Sequence, residues 1–147
     1  MSPAPLTREQ LEDKLAVWQQ RLDLLHWDLE FDFDRSVDAD DEDDAGTIAV
    51  VDAQDRVYDR ARIRLARGWE AWPADAWGTL GELTADYCLL HELVHCLLRD
   101  CDRAAMHLTA DHLHRDSAQL RDTVYHEARE RAVDHLARAL LNGWGPA

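Results

Sequence analysis

The sequence predicts an α+β domain: an N-terminal helix, a small three-stranded antiparallel sheet, a buried helix carrying HELVH, and a long C-terminal helix. Three observations predict it. Leu11, Leu15, Trp18, Leu22 and Leu25 recur at helical spacing. "WDLEFDF" alternates apolar and acidic residues with period two, as a strand with one wet face does. "YCLLHELVHCLL" is apolar nearly all round, as a helix inside a core is. The 147 residues are one domain's worth, and 46% hydrophobic composition is that of a chain with a packed core.

The first helix is expected over about 8–24. Thr7 is placed as its N-cap, with Gln10 completing a capping box and Leu6 and Leu11 forming a staple. Strands follow at "WDLEFDF" (27–33), "TIAVVDA" (47–53) and "RARIRLAR" (60–67). In the last, Ala61, Ile63 and Leu65 face one way and Arg60, Arg62 and Arg64 the other, which reads as an exposed sheet face at an edge. Between the first two strands, residues 34–46 hold seven acids and one arginine, the composition of a solvated loop. The tryptophans of "GWEAWPADAW" are expected to plug the core. Thr79 and Glu82 suggest a second capping box, opening a helix that runs to about Leu98. Residues 99–115 read as irregular and polar, and a last helix covers about 117–141, with Asn142 and Gly143 as stop residues.

The net charge is -14. That argues against a nucleic-acid partner, which demands Lys and Arg, and against anionic membrane surfaces. No stretch has the apolar length of a membrane span or signal peptide. Cys88, Cys96 and Cys101 form no CxxC pair and read as free thiols, so the expected location is the cytoplasm.

HELVH carries the chemistry. Histidines four apart on a helix share one face, so His91 and His95 can chelate one zinc ion. Glu92 lies about 100° around the axis. From there its carboxylate can act as general base on a zinc-activated water without being a ligand. Random placement of this chain's His and Glu residues yields such a match about 3% of the time, so the motif needs a third ligand beside it. No Gly or His continues the motif after His95 in the metzincin manner. The last helix supplies two candidates. Taking Val133, Leu136, Ala137, Leu140 and Leu141 as its buried stripe, Glu130 and His126 both point inward, while Glu127 falls at the edge. A carboxylate in an apolar stripe asks for a cation. Glu130 is preferred, with His126 as the alternative. Asp134, one turn on, is placed to accept the other ring N–H of a liganding histidine.

His91, Glu92 and His95, followed by Glu130 and Asp134, resemble the gluzincin zinc metallopeptidases, which pair HExxH with a downstream ExxxD or ExxxN. The stretch "ERAVDHLARALL" is similar, more distantly, to a helix of ImmA/IrrE-like peptidases, departing at Val133, Asp134 and Leu136 and lacking the Met-Pro that often follows. The plan also resembles small single-domain HExxH proteins of bacteriophages and prophages. The resemblance implies one zinc per chain, Glu130 as third ligand, Asp134 as its neighbour's partner, and a metalloendopeptidase acting on a protein or peptide substrate. It further implies a substrate strand laid beside residues 60–65. Tyr125, His126 and the histidines at 107, 112 and 114 are candidates to stabilise the oxyanion. Two other functions stay open: a structural or inactive zinc protein, and an acidic decoy acting by protein–protein binding.

Overall fold

The computed structural model describes residues 3–36, 49–52, 59–78, 83–110 and 115–147. Helix α1 spans Arg8–Arg21. Its capping box is closed: the Gln10 N–H donates to Thr7 Oγ1 at 3.2 Å and the Thr7 N–H donates to Gln10 Oε1 at 2.8 Å. The helix stops three residues before the expected 24. Asp23 takes a left-handed φ of 57°, and the Leu24 N–H returns to the Gln19 carbonyl at 2.8 Å. That is a Schellman ending, with aspartate where glycine is commoner.

Three short strands follow, β1 (Asp28–Phe31), β2 (Ala49–Asp52) and β3 (Arg60–Leu65). The expected three-stranded antiparallel sheet does not form. β1 pairs with β3 in parallel, Asp28 opposite Arg60 and Phe31 opposite Ile63. β2 flanks β3 on its other side and runs antiparallel to it. The chain still runs up, down and up. β3, however, slots between the other two, and the long segment joining β1 to β2 gives it room. Alternation in a sequence fixes which face a residue takes, not which strand it sits beside. On the outer face Arg60 and Arg62 pair with Asp28 and Glu30 at 2.8 and 2.7 Å, exposed contacts that contribute little each. On the inner face Ala61, Ile63 and Leu65 are buried. Gly68, at φ 89°, turns the chain into a single 3-10 turn at Trp69–Ala71. Trp69 and Trp77 from this connector are buried in the core.

The molecule is mainly helical, which is the second correction to an α+β reading. Helix α2 spans Ala85–Ala110 and α3 spans Arg115–Trp144. The Thr79–Glu82 capping box lies outside the described residues. Thr84 caps α2, its Oγ1 accepting the Tyr87 N–H at 3.1 Å. The stretch expected to be irregular from residue 99 is helical to Ala110. It is rich in good helix formers, and its described side chains, 99–104, are half-buried or exposed. Nor is any residue of the acidic segment from 37 to 48 described. No helix among the described residues is long and apolar enough to cross a membrane.

The core gathers Leu11, Leu15 and Trp18 of α1, Ile63 of β3, Leu89, Leu90, Leu93 and Val94 of α2, and Val133 and Ala137 of α3. Two carboxylates are sunk into it, Asp86 and Glu92. Asp86 accepts the Trp18 indole N–H at 2.9 Å and the Lys14 ammonium at 2.8 Å, so its desolvation is offset by real partners. This bolts α1 to the first turn of α2 and fixes the rotation of the helix that carries HELVH.

Candidate metal centre

Helix α2 is buried in the core at Leu89, Leu90, Leu93 and Val94, and its opposite arc is turned toward α3. His91 and His95 occupy that arc one turn apart, their side chains 21% and 13% exposed. From α3, Val133 and Ala137 are seated in the core, which brings Glu130, one turn before Val133, over the two imidazoles. Glu130 Oε2 stands 3.5 Å from Nε2 of His91 and 3.5 Å from Nε2 of His95.

Those separations exceed an ordinary N–H···O hydrogen bond, about 2.7–3.2 Å. They match the edge of a zinc tetrahedron, about 3.3–3.4 Å for bonds of about 2.0–2.1 Å. One ligand atom from each of the three residues lies within 4.8 Å of the others, and this is the one such group among the described residues. A His/His/Glu set with one position unfilled is the donor set of catalytic zinc. The three residues fit the ion.

The electrostatics agree. Burial pushes the pKa of His91 down, outweighing the lift from Glu130. Burial does the same to His95, which falls to about 4. Both imidazoles are therefore neutral at pH 7, the form that ligates. For Glu130 burial is the largest influence and pushes upward; the neighbouring imidazoles and the Arg129 guanidinium together outweigh it, and the carboxyl ends below its usual value.

Glu92 is 8% exposed, flanked one turn away on either side by Cys88 and Cys96. Burial, and then the Glu92 charge, push both thiols up to about 12. His126 is exposed and stands apart from the His91–His95–Glu130 group, as does Glu127, whose carboxylate lies 3.9 Å from the Arg131 guanidinium. Asp134 lies on the site side of α3, but its carboxylate accepts the Tyr87 hydroxyl and the Arg138 Nε (3.1 Å) rather than a ring N–H. Nδ1 of His91 is buried without a hydrogen-bond partner among the described residues. Tyr125 is committed elsewhere, its hydroxyl donating to Asp102 Oδ1 at 2.7 Å. The side chains of His107, His112 and His114 lie outside the described residues.

Comparison with known protein families, with curated proteins and with solved structures finds no match to this chain.

The sequence reading passed over Arg129 and Asp102. Arg129 Nη2 donates to Glu130 Oε1 at 3.1 Å, and its Nη1 stands 3.5 Å from Asp102 Oδ2. A signal was available: Asp102 follows His95 by seven residues and so shares its face of α2.

Proposed function

We propose that this protein is a zinc-dependent peptidase, holding one ion on His91, His95 and Glu130 and using Glu92 as general base. The observation that carries the reading is the pair of 3.5 Å contacts from one Glu130 oxygen to two imidazole Nε2 atoms. Zinc in such a site polarises a carbonyl and lowers the pKa of a water in its open position toward about 7. The chain's own residues do the rest. His91 and His95 arrive neutral, so no proton must leave them on loading. Glu92 accepts the proton of the attacking water and delivers it to the leaving amine. The resemblance of His91, Glu92, His95, Glu130 and Asp134 to the gluzincin pattern, and of "ERAVDHLARALL" to a helix of ImmA/IrrE-like peptidases, supports a protein or peptide as substrate.

A structural zinc site is the second reading. The burial of Glu92 between Cys88 and Cys96 favours it, because a carboxylate packed there serves the core. One variant separates the two. Purified wild type and Glu92→Gln, both loaded with zinc, are incubated with a mixture of unstructured peptides and the products read by mass spectrometry. Cleavage by wild type, lost in Glu92→Gln at unchanged zinc content, supports the peptidase. Equal behaviour of the two proteins overturns it.

A further inference from the structure

Glu130 has two carboxylate oxygens, and only one faces the imidazoles. Oε2 stands 3.5 Å from both Nε2 atoms, while Oε1 is taken by Nη2 of Arg129 at 3.1 Å. The guanidinium is braced in turn. Its Nη1 stands 3.5 Å from Asp102 Oδ2, and Asp102 Oδ1 accepts the Tyr125 hydroxyl at 2.7 Å. Asp102 comes from the same face of α2 as His95, and Tyr125 sits one turn before Arg129 on α3. The chain Tyr125–Asp102–Arg129–Glu130 thus crosses from one helix to the other beside the imidazoles.

We propose that Arg129 is a positioning residue that restricts Glu130 to ligation through one oxygen, with Asp102 and Tyr125 bracing it. This rests on the reading of His91, His95 and Glu130 as a metal centre. A carboxylate whose second oxygen is held by a guanidinium cannot close on an ion with both. The fourth position is then left for water and substrate, which is what distinguishes a catalytic site from a closed one. Lysine offers a point charge without the planar fork that fixes a carboxylate's orientation. Arg129 also repels a cation nearby. Asp102 offsets that charge, and partners that orient metal ligands are typically worth about 10–100-fold in affinity. Loss of orientation therefore outweighs relief of repulsion.

The test measures zinc affinity by competition with a chromophoric chelator, and the visible spectrum of the cobalt-loaded protein, for wild type, Arg129→Ala, Arg129→Lys and Tyr125→Phe. Wild type is expected to bind one zinc and to give the intense cobalt spectrum of four-coordination. Arg129→Ala is expected to bind zinc about 10–100-fold more weakly, with the weaker cobalt spectrum of a higher coordination number. Arg129→Lys should recover only part of both. Arg129→Ala at wild-type affinity or tighter, with an unchanged cobalt spectrum, overturns the positioning role and leaves the metal centre standing. A wild type that takes up no zinc overturns the metal centre and this inference with it. If Arg129→Ala does not fold by circular dichroism, Tyr125→Phe decides. A smaller loss in the same direction supports the brace, and unchanged affinity and spectrum overturn it.

Discussion

Nε2 of His95 and Oε2 of Glu130 face each other across the seam between α2 and α3 at 3.5 Å, too far to share a proton well and near enough to share an ion. Removing either group should therefore cost the same thing. By mass spectrometry of purified protein, wild type is expected to carry about one zinc per chain. Glu130→Ala and His95→Ala should each lose it, and His126→Ala should retain it, because His126 is exposed and outside the group. Zinc lost with His126→Ala and kept with Glu130→Ala would refute the assignment.

Glu92→Gln removes a base and keeps the shape of the side chain. Hydrolysis of an unstructured peptide is expected to fall about 100- to 10,000-fold, the usual contribution of a positioned general base. Zinc content should be unchanged, since Glu92 is not among the three grouped donors.

The buried imidazoles make the metal-free protein sensitive to acid in a defined window. His95 has a folded pKa of about 4 against an ordinary 6.5. Between those values the unfolded chain binds a proton that the folded chain refuses, so stability rises with pH across the window. Urea midpoints of the metal-free protein should fall as pH drops from 6.5 towards 4, with His95 adding no further loss below that. Glu130, held below its usual value, loses its contribution as pH falls lower still. His95→Asn should flatten the decline between 6.5 and 4; a slope identical to wild type would exclude His95 as its source.

Three thiols in one helix should behave in two ways. Cys101 is exposed, whereas Cys88 and Cys96 are buried and pushed up to about 12, by burial first and by Glu92 second. Only the thiolate is nucleophilic. Native protein at pH 8 should take up one equivalent of iodoacetamide, at Cys101, and all three only after unfolding. Rapid labelling of Cys88 or Cys96 in the folded protein would contradict the packing around Glu92.

Asp86 is a carboxylate that holds α1 against α2, and Asp86→Ala leaves the Trp18 indole N–H and the Lys14 ammonium without it. Breaking a buried pair from one side typically costs about 3–5 kcal/mol. Chemical denaturation should show a loss of that size, much greater than for Asp28→Ala, whose exposed pair with Arg60 contributes at most about 1 kcal/mol.

The sequence made some of this legible and hid the rest for physical reasons. His91 and His95 could be read because four residues make nearly one helical turn. Glu130 stood out because a carboxylate three residues before Val133 has to be accounted for. The cap at Thr7 was written in adjacent residues. Strand order was not, since the apolar alternation in "WDLEFDF" is the same whether its neighbour is β2 or β3. The partner of Asp134 was hidden too: Tyr87 and His91 lie one turn apart on α2, and only side-chain geometry decides which of them takes the carboxylate. His126 shows the limit of the helical wheel, which gave it the right angle but not a neighbouring element to cover it.

The three grouped donors, His91, His95 and Glu130, all lie on the helix pair α2 and α3, with residues 96–129 between His95 and Glu130. Asp86, by contrast, ties to Lys14 from 72 positions away. Contacts near in sequence close sooner than distant ones. The helix pair can thus assemble its donors before α1 docks on α2. On the zinc reading proposed above, an ion present during folding would act as a kinetic staple, speeding the collapse of the C-terminal half while leaving the rate of α1 docking unchanged.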